Sequence, residues 1–100
     1  MIFSILLIDR PGTAELRVQL RPEHRAYLAQ LSERMAFAGP LTSDDGGTVI
    51  GSLLAIDFPD RAAVSAWLKD EPFTKAGVYE EPLIYIFNNM WAQKVGFPPA

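Results

Sequence analysis

The segment Thr48-Val49-Ile50-Gly51-Ser52-Leu53-Leu54-Ala55-Ile56-Asp57-Phe58, followed at once by Pro59-Asp60, reads as a long strand running into the start of a helix. Side chains alternate across a strand, so Val49, Gly51, Leu53, Ala55 and Asp57 take one face. Ile50, Ser52, Leu54, Ile56 and Phe58 take the other. Both sets are largely apolar, which predicts a central strand with material packed on both of its faces.

The neighbouring elements follow from this strand. Upstream, residues 42–47 form a polar loop, Thr-Ser-Asp-Asp-Gly-Gly, and join it to an extended segment, Gly39–Leu41. Downstream, Asp60 is a helix N-cap, and Ala63, Val64, Trp67 and Leu68 fall on one helical face. Residues 70–77 read as a helix stop and a short recoil, and Leu83–Phe87 as the last strand. At the other end, Ile2–Ile8 is apolar on both faces and is closed by the turn Asp9-Arg10-Pro11-Gly12-Thr13. Thr13–Leu20 is expected as a short helix. Pro22 restarts the pattern as the first turn of a new one, where its missing N–H is harmless. The stripe His24, Leu28, Leu31, Met35 gives that helix its apolar face, and Gly39-Pro40 stops it.

The order is therefore β-α-β-β-α-β, the α+β, ferredoxin-like split βαβ arrangement, with an antiparallel sheet and both helices on one face. The other face is left bare, and an apolar face of several hundred Å² is more than a monomer usually exposes. A homodimer packed sheet to sheet is expected, with the aromatic tail from Trp91 to Phe97 contributing. The whole chain, residues 1–100, is expected to be one domain, with a core of about residues 2–88 and a tail over 89–100.

Composition removes many function classes. The absence of cysteine excludes thiolate nucleophiles, disulfides and thiolate metal sites, and a single histidine excludes a histidine-rich metal centre in one chain. We therefore expect no metal and no cofactor. A net charge of −3 argues against nucleic acid as a partner. The apolar start has no basic leader, cleavage site or membrane-spanning length, so a cytoplasmic protein without membrane attachment is expected. No Gly-x-Gly-x-x-Gly, Walker or Gly-x-Ser-x-Gly motif is present, and Asp44-Asp45-Gly46-Gly47 lacks the later ligands of a calcium loop.

The remaining chemistry concentrates on few positions. His24 lies on the apolar stripe within the first turn of its expected helix, where the macrodipole favours a neutral imidazole able to act as a general base. The same pattern suits a partly buried histidine bonded to a carbonyl. Asp70 and Glu71 follow the second helix, and either suits a carboxylate that orients His24. Ordinary solvated turn charges fit the same spacing. Arg17 and Arg21 can bind an anionic group or pair with Asp9 or Glu23 at the surface.

Four strings in order, Leu20-Arg21-Pro22-Glu23-His24, Ala38-Gly39-Pro40-Leu41, Gly51-Ser52 and Pro72-Phe73-x-x-Ala76-Gly77-Val78-Tyr79, resemble the YciI-like (YCII-related) family over about residues 2–88. Asp9 and Arg17 stand where that family tends to place an acid and an arginine. The resemblance implies a ferredoxin-like fold assembled as a dimeric α/β barrel, and an enzyme with a histidine–aspartate pair in a small pocket. His24 matches the family histidine. The family usually has Asp before Pro-Phe, whereas here Glu71 precedes Pro72 and Asp70 stands one place earlier.

The expected function is cofactor-independent acid/base chemistry, of isomerase, lyase or hydrolase type, on a small anionic or cyclic metabolite. His24 is the acid/base, Glu71 or Asp70 its partner, Arg17 or Arg21 the anion holder, and Gly39, Pro40 and Ser52 belong to the substrate pocket. The competing expectations are a non-catalytic small-ligand or accessory homodimer, and a structural module whose tail recruits a partner.

Overall fold

The computed structural model describes residues 1–95. Its elements are β1 (Ile2–Ile8), α1 (Ala14–Ala29), β2 (Met35–Thr42), β3 (Val49–Asp57), α2 (Arg61–Lys69), α3 (Pro72–Lys75) and β4 (Leu83–Phe87), with one 3-10 turn at Ser32–Arg34. The sheet order is β2-β3-β1-β4 and every neighbouring pair is antiparallel. This is the α+β, ferredoxin-like fold.

The register shows why these sequences share a sheet. Phe3 pairs with Ile56, Ile5 with Leu54 and Leu7 with Ser52, so one face of β1 and β3 is a continuous apolar floor ending in a serine. Phe58, Val64, Leu68, Phe73, Val78 and Tyr79 close over that floor. Each large apolar side chain removed from water there contributes about 1.5–3 kcal/mol. Asp60 caps α2 as expected, accepting from the Ala63 N–H at 2.8 Å.

Among the described residues, no helix covers the opposite face. Phe37 and Phe87 reach across it from the two edge strands, with ring centroids 6.0 Å apart at 90°. Ile8, Leu83 and Tyr85 lie exposed. Gly51 also belongs to this side, where the neighbouring backbone approaches it closely. A Cβ there would sit 2.4 Å from the Leu7 carbonyl oxygen, closer than any side chain tolerates.

Three expectations about the first half need correction. Thr13–Leu20 and the segment from Pro22 are not two helices but one, α1, with Pro22 inside it. The missing Pro22 N–H leaves without its helical donor only the carbonyl four residues back, that of Val18, a residue more than half exposed to solvent. Packing of Leu16, Leu20 and Leu28 against the core holds the two halves in line. His24 accordingly lies in the third turn of α1, beyond the reach of the N-terminal dipole. Finally, the helix ends at Ala29 rather than at Gly39-Pro40. Leu31 and Met35 keep the helical spacing and still pack on the core, but through the 3-10 turn and the start of β2. Gly39 and Pro40 sit inside β2, an edge strand, where proline is tolerated. In the tail, Trp91 is almost wholly exposed, and Phe97 lies outside the described residues.

Candidate active site

A cavity of about 310 Å³ opens between α1 and the β2–β3 edge of the sheet. The helix does not cover β2, and that strand offers only Ala38, Gly39 and Pro40 as cavity wall, so room is left beside the core. Arg17, Arg21, His24, Arg25 and Leu28 line it from α1, Val49, Ser52 and Leu54 from β3, and Phe73 from α3.

Glu71 is fully buried and caps α3. Its Oε2 accepts from the Thr74 N–H at 2.9 Å and the Thr74 hydroxyl at 3.1 Å. Its Oε1 lies 2.5 Å from Nδ1 of His24. Burial pushes the Glu71 carboxyl up, but the hydrogen bonds from His24 and the Thr74 N–H outweigh it, and its pKa falls below the ordinary 4.5. An ionised carboxylate only accepts, so the proton between the two groups belongs to His24 Nδ1. The other ring nitrogen, Nε2, has no hydrogen-bond partner among the described residues. Phe73 fixes the plane of the ring by stacking on it, with centroids 3.9 Å apart and 9° between planes.

A second polar group adjoins the first. Arg17 and Asp9 form a two-pronged ion pair, Nε to Oδ2 at 2.8 Å and Nη2 to Oδ1 at 2.9 Å, with both side chains about nine-tenths buried. Arg17 Nη2 also donates to Ser52 Oγ at 3.1 Å, and Ser52 Oγ lies 3.0 Å from the Tyr79 hydroxyl. The Arg17 guanidinium sits 4.8 Å from the centroid of Phe73, so that one ring touches both groups. The positive φ of Gly77, +80°, lets the chain turn sharply after α3 and bring Tyr79 under Ser52.

The sequence-derived residues therefore divide. His24 and Glu71 are joined, and Asp70 is not brought in: it is the exposed C-cap of α2. The Arg17–Asp9 pair is buried, not a surface pair. Arg21, Gly39, Pro40 and Ser52 all border the cavity. Three neighbours were not singled out from the sequence. Arg25 had a signal, since Arg17, Arg21 and Arg25 repeat every four residues along one side of a helix. Phe73 and Tyr79 stand in one of the strings that resemble the family, but no role was read for them, because an aromatic residue near a turn looks like core. Among the described residues, no group of three or more metal-ligating side chains is assembled.

Comparison with known proteins now bears on this geometry. The YCII-related domain matches residues 1–88. The chain belongs to the YCII-related family. Protein YciI of Escherichia coli O6:H1 is 32% identical over 98 residues, covering 91% of this chain and all of the relative. A Haemophilus influenzae relative is 30% identical over the same share. Among solved structures, this YCII-related chain is similar to 5-chloro-2-hydroxyhydroquinone dehydrochlorinase (TftG) from Burkholderia phenoliruptrix AC1100, in complex with 2,5-dihydroxybenzoquinone. The TM-score is 0.81 and the identity 29%, over 88% of this chain and 94% of that one. An antibiotic biosynthesis monooxygenase shares the fold alone, with a TM-score of 0.53 and 15% identity, over 90% and 99% of the two chains.

Proposed function

We propose that this YCII-related protein is a small-molecule enzyme in which His24, oriented by Glu71, is the general acid/base. The observation that carries the reading is the division of the imidazole. Nδ1–H is committed to a buried carboxylate, and Nε2 is left for a partner from the cavity that His24 lines. This is the arrangement by which a carboxylate fixes the tautomer of a catalytic histidine. Nε2 removes a proton from the substrate, the electron pair moves into its π system, and either a leaving group departs with its bonding pair or the proton returns elsewhere. Elimination and isomerisation both balance without an oxidant. The dehydrochlorinase activity named for the similar structure favours elimination.

The substrate is a small, cyclic anion. The cavity is at the small end of ligand sites, and Arg21 and Arg25 place positive charge at its rim with no acidic partner among the described residues. The similar structure holds 2,5-dihydroxybenzoquinone, whose acidic hydroxyls make it a planar anion in neutral water.

The enzyme works as a cytoplasmic homodimer that covers the bare sheet face. Ile8, Leu83 and Tyr85 lie exposed on that face, more apolar surface than a monomer usually leaves bare. Tyr85→Lys should convert the dimer to monomers in sedimentation, and an unchanged mass distribution would remove this part of the reading. The function is tested by incubating the protein with 5-chloro-2-hydroxyhydroquinone and measuring released chloride. Wild-type turnover lost in His24→Gln and reduced in Glu71→Gln is expected. Equal turnover in wild type and His24→Gln would sink the acid/base assignment.

A further inference from the structure

The hydroxyl of Ser52 lines the cavity, and counting its hydrogen bonds leaves its own proton over. A serine oxygen accepts two hydrogen bonds and donates one. Arg17 has no acceptor atoms, so its Nη2 fills one lone pair of Ser52. Tyr79 is 95% buried, and its hydroxyl has Ser52 Oγ as its hydrogen-bond partner among the described residues. Burial pushes Tyr79 up to about 12, so it keeps its proton, and a buried O–H without an acceptor is unfavourable. No carboxylate oxygen lies within hydrogen-bond distance of the Tyr79 hydroxyl among the described residues. Tyr79 therefore donates to Ser52 and fills the second lone pair. The Ser52 proton then has no acceptor within the described protein, while the residue lines the cavity together with His24.

We propose that Ser52 donates this hydrogen bond to a substrate oxygen that becomes negatively charged when His24 removes a proton, with Arg17 and Tyr79 as positioning residues. The inference rests on the function proposed above and narrows its substrate to a ring bearing an enolisable carbonyl or phenolic oxygen. The step balances: the C–H or O–H bond breaks, its proton goes to His24 Nε2, and the electron pair settles on the substrate oxygen as an oxyanion. Ser52 keeps its own proton throughout. Two hydrogen bonds donated into its oxygen polarise the O–H and strengthen it as a donor. They also hold it at a fixed orientation before the charge develops, which is what stabilisation of an oxyanion requires.

Two measurements test this. A neutron structure of the ligand-free protein should show the Tyr79 deuterium on the line to Ser52 and the Ser52 deuterium directed into the cavity. A Ser52 deuterium on the line to Tyr79 overturns the proposal. Binding of 2,5-dihydroxybenzoquinone, followed by its visible band, should weaken roughly tenfold in Ser52→Ala, which is about 1.4 kcal/mol. The band shift seen in the wild-type complex should also be lost there. Ser52→Thr should restore both, and Tyr79→Phe should weaken binding a few-fold. Equal binding and an equal band in wild type and Ser52→Ala overturn the proposal while leaving the His24 reading standing. If wild-type protein ignores the quinone, the proposed substrate class falls, and the neutron map still decides the direction of the Ser52 donor.

Discussion

The His24–Glu71 pair and the Asp9–Arg17–Ser52–Tyr79 group touch the same ring, Phe73, yet they are built on opposite plans. In the first, one half of an imidazole is tied down and the other half is left unused. In the second, both oxygens of the acid and two nitrogens of the arginine are engaged with each other or with Ser52, which in turn holds Tyr79. A densely bonded, buried network gives rigidity, because every departure strands a polar group at about 1–3 kcal/mol. An unsaturated nitrogen beside a cavity gives chemistry. The two groups are close enough to share a ring, so the difference lies in how far each is satisfied, not in where it lies.

Substitutions should separate the two plans cleanly. The largest effect expected is on turnover: His24→Gln should lose about 10²- to 10⁴-fold in kcat, the range that general base catalysis supplies. Its amide still donates to Glu71, so its melting temperature should barely move. A large fall in Tm with turnover retained would reverse the assignment. Asp9→Ala is the mirror case. It leaves a buried guanidinium unpaired and should cost about 3–5 kcal/mol in chemical denaturation. A value under ~1 kcal/mol would show that water reaches Arg17 and that the ion pair is not what holds it in place.

The acid limb of stability sharpens the contrast. The pKa of Glu71 is lower in the folded protein than the ordinary 4.5. The fold therefore favours its ionised form. That contribution is complete above the unfolded value and is lost as pH falls through the folded one. Denaturation midpoints measured between pH 6 and 2 should fall less steeply in Glu71→Gln than in the wild type, and parallel limbs would contradict the pairing. The smallest effect is at Tyr79. Its folded pKa of about 12 lies above the ordinary 10, so its contribution is complete below pH 10 and lost as pH rises toward 12. Tyr79→Phe should lose about 1 kcal/mol at neutral pH. It should then keep what remains across that alkaline window, where the wild type declines.

The legible parts of the sequence were those marked by apolar runs, period and caps. An apolar run closed by a turn marked β1, two largely apolar alternating faces marked β3, the cap at Asp60 marked α2, and the apolar run Leu83–Phe87 marked β4. What period could not convey was where a helix gives way to another element that happens to keep its spacing. Leu28, Leu31 and Met35 stay on the core side while the chain passes from helix to 3-10 turn to strand. Pro22 misled for a related reason, since its local penalty is real but tertiary packing absorbs it. At the site, His24 stood out as the lone histidine. Its partner was narrowed only to two adjacent acids, because one residue separates the end of α2 from the cap of α3. Burial of the Arg17–Asp9 pair was invisible for a different reason: an eight-residue separation is the same whether water surrounds the pair or not.

Gly51 has a consequence for the history of the chain. The space its side chain would need is filled by the backbone of the adjoining strand, and one step along lies Ser52. Any replacement must wedge β1 away from β3, and the serine and Asp9, which are held from those two strands, would move apart with it. A mutational library should therefore return this codon unchanged, even though the position carries no functional group of its own. Drift is closed there by geometry alone.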